Sequence, residues 1–328
     1  MSELERLAQQ FKDALEAQDE QALTRIVTAY QRIYTTLQTQ VDLLLSEIGN
    51  MTDPTAAQVA KLSRFKALQE QIIDEITRFQ IYLQTEIVNA AALSFQAGDE
   101  QAVALMQAYF SQQGIQIQMG GLPAGSFESI VAFLQDGSPL YDRIQMLAGA
   151  TADYVRNALL EGIALGKNPR TIARLIQDAF GRGLTDALRM ARTAMLWAHR
   201  VATQQVYQSS DVLDGWVWFA TLDDTVCQSC IVQHGTIHPL DELLQDHHNG
   251  RCAMLPYIEE FGNPIEQSGI QWFESLPEAQ QRQILGEGKF EAWQAGKFTL
   301  PQLSKEHDND VYGKMRIETP LKELINAN

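Results

Sequence analysis

The sequence has few of the features that mark secreted or membrane proteins. Only three of its 328 residues are cysteines, and an odd number confined to one short stretch does not fit a secreted scaffold held by disulfides. No apolar run approaches the roughly 18 residues that a membrane-spanning helix needs. The first residues, MSELERLAQQF, lack the basic start and the continuous apolar run of a signal peptide. We therefore expect a soluble chain that is made in a reducing cytoplasm.

Basic residues are scarce as well. Lys and Arg number 25 against 41 Asp and Glu, which gives a formal net charge of −16. Broad, nonspecific binding to nucleic acid needs a basic surface, so this charge argues against that class of protein. Hydrophobic residues make up 45% of the chain, which is enough to bury a full core in one large domain or two ordinary ones.

Residues 167–200 are the exception, because seven basic residues there stand against only two acidic ones. The basic residues are Lys167, Arg170, Arg174, Arg182, Arg189, Arg192 and Arg200. Pairs spaced four and three apart share one side of a helix, which makes Arg170, Arg174, Arg189 and Arg192 our candidate partner-binding or DNA-binding residues. The planar guanidinium group of arginine can donate two parallel hydrogen bonds to a phosphate or a carboxylate. The alternative is a basic face that is solvated or paired with acidic residues of the same chain. The two helices linked by a turn in this stretch are too weak a pattern to indicate a helix-turn-helix motif that recognises a DNA sequence.

Two long amphipathic helices are predicted in the N-terminal third of the chain. Apolar residues recur at intervals of three and four over the first 48 residues, and a second seam runs from Phe65 to about Leu93 or Phe110. Asp53-Pro54 supplies a cap and a first-turn proline for the second helix. The short connection predicts an antiparallel hairpin, either as a core piece or as an arm that docks on a neighbouring subunit.

A glycine-rich loop and further helices are predicted next. Residues 114–137 contain GGLPAG and predict a loop. Asn168-Pro169 then opens a helix as its cap and first-turn proline, and Gly181 and Gly183 predict a break before a third helix. A short β-rich run, WVWFATLDDT, follows at residues 216–225. The expected fold is mainly α with a small α+β C-terminal part: a long N-terminal helical hairpin, then a helical region leading into a short β-containing Cys/His-rich domain.

The segment from Cys227 to Cys252 holds all three cysteines and four of the six histidines. Two thiolates at C-x-x-C spacing, followed by a histidine and a third cysteine, are typical of a tetrahedral zinc site. The candidate metal ligands are Cys227, Cys230, His247 and Cys252, with His248 as an alternate ligand. Three thiolates and one imidazole would complete a closed structural zinc site with no position left for water. A disulfide within the cluster, or reduced thiols that simply pack, are the alternatives.

Three enzymatic interpretations of this segment each lack a required feature. A zinc deaminase needs H-x-E ahead of P-C-x-x-C, and no such element precedes Cys227. A thiol oxidoreductase would need an easily formed thiolate, which Asp223 and Asp224 oppose. A Cys/His metal-dependent nuclease acting on DNA would use the residue types of Asp246 and the following HHN, although their order differs from the usual layout. We therefore predict no enzymatic activity and keep the nuclease as the alternative.

The order D-x-x-C-x-x-C followed by H-x-N-x-R-C-x-x-x-P resembles the MuF-type phage head morphogenesis (minor head protein) family. The matching positions are Asp224, Cys227, Cys230, Gly235, His247, Asn249, Arg251, Cys252 and Pro256. The chain departs from the family pattern at His248, where the family has proline, at Gly250, where it has cysteine, and at Ala194, where an upstream R-T-E element has its acid. The resemblance covers roughly residues 140 to 260.

This resemblance implies a structural and assembly protein of a tailed-phage or prophage head. It implies a minor capsid protein at the portal vertex or in the capsid interior of the virion, present in the host cytoplasm before assembly. The implied partners are the portal protein, major capsid and scaffold proteins and packaged double-stranded DNA, with several copies or an oligomer in the virion. Four parts are expected: a long-helix region at 1–113, a linker at 114–137, a MuF-like head morphogenesis domain at 138–262, and short helices with a tail at 263–328.

Overall fold

The computed structural model describes residues 2–129, 138–165, 167–247, 250, 252–309 and 313–326. The α-helices of this part of the chain are α1 (Glu3–Gly49), α2 (Ala56–Val59), α3 (Ser63–Gln112), α4 (Pro139–Ala164), α5 (Pro169–Gln208), α6 (Gln228–Gln233), α7 (Gly269–Ser275), α8 (Glu278–Leu285), α9 (Glu287–Gln294) and α10 (Leu321–Asn326). The strands are β1 (Gly215–Phe219), β2 (Ile237–His238), β3 (Ala253–Tyr257), β4 (Ser304–Asn309) and β5 (Gly313–Glu318). The predicted fold class is confirmed: the chain is mainly α, with small antiparallel sheets and the Cys/His cluster toward the C-terminus.

The start of the second long helix differs from the prediction. Asp53 lies in the left-handed region with φ 47° and does not cap a helix. Thr55 caps the four-residue helix α2 instead, with a reciprocal capping box to Gln58, and the long helix α3 begins only at Ser63. Asn168 does cap α5 as expected, because its side-chain oxygen accepts a hydrogen bond from the Thr171 amide at 3.0 Å.

The predicted break at Gly181 and Gly183 is wrong, because α5 runs through both glycines without interruption. A Cβ atom at Gly183 would overlap the Tyr30 hydroxyl and the Thr151 side chain, so this glycine permits close packing of helices. Gly181 is exposed, and nothing lies near the position of its missing Cβ. Glycine weakens a helix by only about 1 kcal/mol, which the surrounding packing outweighs.

The chain divides into two compact units. The helical unit comprises Gln18–Ala90 and Ile130–Ala194, and the mixed unit comprises Met1–Ala17, Ala91–Ser129 and Met195–Asn328. The four parts expected from the sequence stay a prediction, and residues 130–137 of the expected linker, like residues 327–328 of the expected tail, lie outside the described residues.

The helical unit is built on apolar stripes with helical spacing. Tyr30 packs edge-on against Phe79 with ring centroids 5.0 Å apart, and Tyr34 packs likewise against Phe180. Fully buried side chains that continue this core include Ile26, Leu37, Leu44, Ile72, Ile76, Leu83 and Ile87. Burying each such side chain stabilises the fold by about 1.5–3 kcal/mol, so this unit is held mainly by its apolar core.

The mixed unit contains a three-stranded antiparallel sheet in the order β2-β1-β3. The central strand β1, GWVWF, is buried along its whole length, which explains its continuous apolar sequence. Tyr207 anchors α5 to the sheet by donating its hydroxyl hydrogen to the Met254 carbonyl at 3.0 Å. Phe219, the last residue of β1, pairs with Ala253, the first residue of β3. Cys252 therefore lies next to the C-terminal end of β1, from which the chain continues toward α6. A separate antiparallel hairpin, β4-β5, packs near α6.

Candidate metal centre

The sulfur atoms of all three cysteines lie together. Cys227 caps the N-terminus of α6, and its sulfur accepts a hydrogen bond from the Cys230 amide at 3.2 Å. The Cys230 Sγ lies 2.9 Å from the Cys227 Sγ and 3.3 Å from the Cys252 Sγ. All three cysteines are free thiols in this arrangement. The α6 turn thus supplies two sulfurs, and the residue just before β3 supplies the third.

His247 joins the cysteines from the loop that precedes β3. Its Nε2 lies 3.4 Å from the Cys230 Sγ and 3.4 Å from the Asp246 Oδ1, and its side chain is about one-third exposed. The alternate ligand His248 lies outside the described residues, so only His247 can be placed. Of the four predicted primary ligands, the structure brings Cys227, His247 and Cys252 around Cys230.

Two triplets of ligand atoms share Cys230. One is Cys227, Cys230 and His247, and the other is Cys230, Asp246 and Cys252; within each triplet the ligand atoms lie within 4.8 Å of one another. The cluster could therefore hold a metal ion. Sulfur and imidazole donors are those that zinc prefers, so the residues fit a zinc ion better than a calcium or magnesium ion.

The thiols differ in their ease of ionisation. The hydrogen bond from Cys230 lowers the pKa of Cys227 to about 6, and His247 adds to this effect while burial opposes it. Hydrogen bonds with the other two cysteines, together with burial, raise the pKa of Cys230. Burial is the largest influence on Cys252 and raises its pKa. Cys227 therefore offers a ready thiolate, whereas the other two cysteines must lose protons when a metal binds.

The Trp218 indole supports a thiolate at Cys252. Its N–H is buried without a well-formed hydrogen bond among the described residues, and it lowers the pKa of Cys252 against the effect of burial. A buried donor without an acceptor is costly, and a metal-bound thiolate at Cys252 would provide one. A thiolate at Cys252 would thus gain a hydrogen bond from the buried Trp218 indole, although burial raises the pKa of this thiol.

Asp246, whose sequence context indicated only a role in the nuclease alternative, lies behind the candidate ligands. Its side chain is fully buried, and its carboxylate accepts hydrogen bonds from the His247 amide at 2.8 Å and the Cys252 amide at 3.1 Å. Arg200 forms an ion pair with it at 3.3 Å. Burial raises the pKa of Asp246, but the charges of Arg200 and His247 and the Cys252 amide outweigh it, so the pKa lies below its usual value. No sequence spacing signals this role, because it depends on tertiary burial.

His234 and His238, which lie in the same sequence segment, belong to the core of the sheet. The His234 Nδ1 accepts a hydrogen bond from the Ala220 amide at 3.0 Å, and burial lowers the pKa of this histidine to about 4. The His238 ring stacks on Trp216 with centroids 4.3 Å apart. Both side chains are thus engaged in packing and hydrogen bonds away from the sulfur cluster.

The candidate binding arginines lie on α5. Arg170, Arg174 and Arg189 are exposed, Arg192 is partly buried, and Arg189 makes an ion pair with Asp186 at 3.4 Å. Among the described residues Arg170 and Arg174 make no ion pair. Arg200, which the sequence groups with this basic stretch, is buried against Asp246 and does not contribute to an exposed face.

A shallow groove of about 600 Å³ lies beside part of this basic stretch. Its walls include Arg182 and Arg189, but also Asp178 and Asp186. Arg182 lies over the Tyr154 ring at 5.9 Å. The groove is thus of mixed charge, and the unpaired positive charge of the stretch lies nearer its start, at Arg170 and Arg174.

Within the described part of the chain, no helix has the length and apolar character that crossing a membrane requires.

Comparison with known proteins gives one match. Residues 153–255 match the family described as Phage Mu protein F like protein, whereas no curated protein and no solved structure matches the chain. The matched span begins in α4 and contains all three cysteines and His247. Residues 153–255 are therefore similar to the Phage Mu protein F like family, which is the family that the motif resembles.

Proposed function

We propose that this chain is a structural and assembly protein of a tailed-phage or prophage head, and that it is a minor capsid protein associated with the portal vertex. The observation that carries the proposal is the Phage Mu protein F like domain at residues 153–255. On this account the protein is made in the host cytoplasm and joins the head through the portal, capsid or scaffold proteins. It then resides at the portal vertex or in the capsid interior of the virion.

We further propose that the Cys/His cluster is a structural zinc site formed by Cys227, Cys230, His247 and Cys252. The segment that it would close lies between β1 and β3, and its described residues form little regular structure beyond α6 and the short β2. Metal binding to such a segment contributes directly to folding, because the unfolded chain has no preformed site. Zinc would here hold the ends of the segment together and would leave no position for a reacting water.

A non-catalytic role also fits the environment of Asp246. A nuclease of the Cys/His type needs a base and metal ligands that can reach water and a phosphodiester. The Asp246 side chain is completely buried and already accepts hydrogen bonds from two backbone amides and Arg200. His248 and Asn249, the other residues of the nuclease alternative, lie outside the described residues. Asp246 thus gives that alternative no support.

The positive residues of α5 supply the third part of the proposal. We propose that Arg170, Arg174, Arg189 and Arg192 bind an acidic surface of a head protein or the phosphate backbone of packaged DNA. The support is the exposure of the first three side chains and the absence of an ion pair at Arg170 and Arg174 in the described part of the chain. An overall charge of −16 makes such a local basic surface selective in its attraction of anions.

Co-expression of the chain with the portal, capsid and scaffold proteins of its own phage tests the proposed role. Assembled heads are separated by sedimentation, and the chain is measured in each fraction. The proposal predicts that the chain sediments with heads that contain portal and not with heads assembled without portal. Recovery of the chain only as free protein beside complete portal-containing heads would contradict it.

A further inference from the structure

We propose that Arg200, Asp246 and Gly250 position the candidate metal ligands His247 and Cys252, so that the loop is held in a binding-competent shape before metal arrives. This inference rests on the proposed zinc site and assigns a role to three residues that are not ligands in it. The contacts among Arg200, the Asp246 carboxylate and the backbone of the loop carry the argument.

The first contact is a bridge between two ligand positions. The Asp246 Oδ1 accepts a hydrogen bond from the His247 amide at 2.8 Å, and the Oδ2 accepts one from the Cys252 amide at 3.1 Å. Residues 243–247 and 252 belong to no helix or strand, so helix or sheet hydrogen bonds do not hold the backbone at these ligands. One carboxylate therefore ties together the backbone at both ligands.

The second contact makes Gly250 necessary. A Cβ atom at residue 250 would overlap the Asp246 carboxylate, so only glycine lets the loop pass this close to it. The Gly250 amide also donates a hydrogen bond to the His247 carbonyl at 2.9 Å. His247, Gly250 and Cys252 thus all lie against the same carboxylate.

The third contact anchors this loop to α5. The Arg200 Nη2 donates hydrogen bonds to the Asp246 Oδ2 at 3.3 Å and to the Gly250 carbonyl at 3.0 Å. Both side chains are buried, and a buried carboxylate without a counter-charge would destabilise the fold strongly. Arg200 therefore neutralises Asp246 and fixes the loop to a long helix at the same time.

These contacts favour a positioning role for Asp246 over direct ligation. Its two oxygens accept hydrogen bonds from the His247 and Cys252 amides and from Arg200, and the Cys230 Sγ lies 3.5 Å from its Oδ1. Carboxylates in this outer position orient ligands, and their loss typically lowers metal affinity by about 10- to 100-fold.

The test measures metal binding to the full chain with zinc in competition with a chelator, and with Co²⁺ as a spectroscopic probe. Asp246→Asn preserves size but removes the charge and one acceptor. We expect Asp246→Asn and Gly250→Ala each to lower zinc affinity by about 10- to 100-fold. The Co²⁺ spectrum should keep the thiolate charge-transfer intensity of the unsubstituted chain, because no ligand is lost. Hydrogen exchange without metal should show protected amides at His247 and Cys252, with protection lost in Asp246→Asn at the amide whose acceptor oxygen becomes an NH2 group.

The outcomes separate this inference from the zinc proposal. Unchanged zinc affinity in Asp246→Asn, or unprotected amides in the metal-free unsubstituted chain, would overturn the positioning role while the zinc site stands. A Co²⁺ spectrum whose ligand-field bands change in Asp246→Asn would show a ligand instead. Absence of metal binding by the unsubstituted chain would overturn both.

A second pair of variants tests the inference if Asp246→Asn cannot be purified as a folded protein. If Asp246→Asn does not fold, Arg200→Lys is compared with Arg200→Met. Lysine keeps the positive charge, so the account predicts higher zinc affinity for Arg200→Lys than for Arg200→Met. Equal affinities in these two variants would contradict the role of Arg200.

Discussion

The Sγ atoms of Cys230 and Cys252 lie 3.3 Å apart, although 22 residues separate them in the sequence. The pairing of β1 with β3 produces this contact, since it returns the chain to the end of β1 just before Ala253. α6 begins a few residues after β1 and presents Cys230 in its first turn. The sheet therefore brings the two halves of the Cys/His motif together, and Arg200 and Asp246 fix the returning loop.

Loss of one thiol should release the metal and destabilise the protein. We expect Cys227→Ser to lower the free energy of unfolding by several kcal/mol in the presence of zinc, because metal-binding energy is folding energy in structural sites. Urea unfolding followed by circular dichroism measures this difference. With chelator present, Cys227→Ser and the unsubstituted chain should unfold at similar urea concentrations. An equally large difference with and without chelator would show that the thiol acts through packing.

Acid should destabilise the fold through His234. Burial lowers the pKa of this histidine in the folded state to about 4, below its ordinary value of 6.5. Between these values the unfolded state binds the extra proton, so stability is lost as pH falls from about 6.5 toward 4. Protonation of His234 should lower the free energy of unfolding by about 2 kcal/mol between pH 7 and pH 5. Urea unfolding at these two pH values measures it.

His234→Asn is the informative variant for this prediction. The asparagine oxygen can accept the Ala220 amide hydrogen bond in place of Nδ1 but does not titrate. His234→Asn should therefore lose less stability on acidification than the unsubstituted chain, and the same substitution at the exposed His307 serves as the matched control. Identical pH dependence in both variants would contradict the assignment.

The two glycines of α5 should respond in opposite directions to alanine. Gly183→Ala would overlap Tyr30 and Thr151, and we expect it to destabilise the protein by about 1–3 kcal/mol. Gly181 has open space at its Cβ position in an exposed turn of helix, so Gly181→Ala should stabilise the protein by up to about 1 kcal/mol. Thermal and urea unfolding of the two variants measure the difference. A destabilising Gly181→Ala would argue against a continuous α5.

Charge reversal should test the arginines at the start of α5. We expect Arg170→Glu with Arg174→Glu to leave folding intact and to abolish association with portal-containing heads or DNA. The association should also weaken steeply as salt rises. The matched control is Arg32→Glu with Lys66→Glu, an equal charge change at exposed helical positions of the same unit. Equal loss of association in the control pair would attribute the effect to net charge alone.

The sequence predicts the features of this protein that depend on local spacing. The apolar periodicity gives the long helices, and the Asn168-Pro169 cap gives the start of α5. The C-x-x-C spacing places Cys227 and Cys230 on one turn, and the late Cys252 completes the family motif. These patterns require only neighbours within one helix or one short segment.

Features that depend on tertiary packing are missed. Gly183 predicts a break in a helix because glycine is a weak helix former. The packing partners that explain it, Tyr30 and Thr151, are distant in sequence. The hairpin β4-β5 has the polar strands SKEHDN and GKMRIE, which carry no apolar alternation. From sequence, Arg200 is assigned to a basic face and Asp246 to a polar loop. Their burial against each other appears only in the folded chain.

The metal content of the full chain tests the central claim most directly. The protein is purified without added metal or a histidine tag, and bound metals are measured by mass spectrometry alongside a count of reactive thiols. The account predicts about one zinc ion per chain, with zinc absent from a Cys230→Ser variant purified in the same way. A metal-free unsubstituted chain that is folded and has three reactive thiols, or a disulfide within the cluster, would contradict the proposed zinc site.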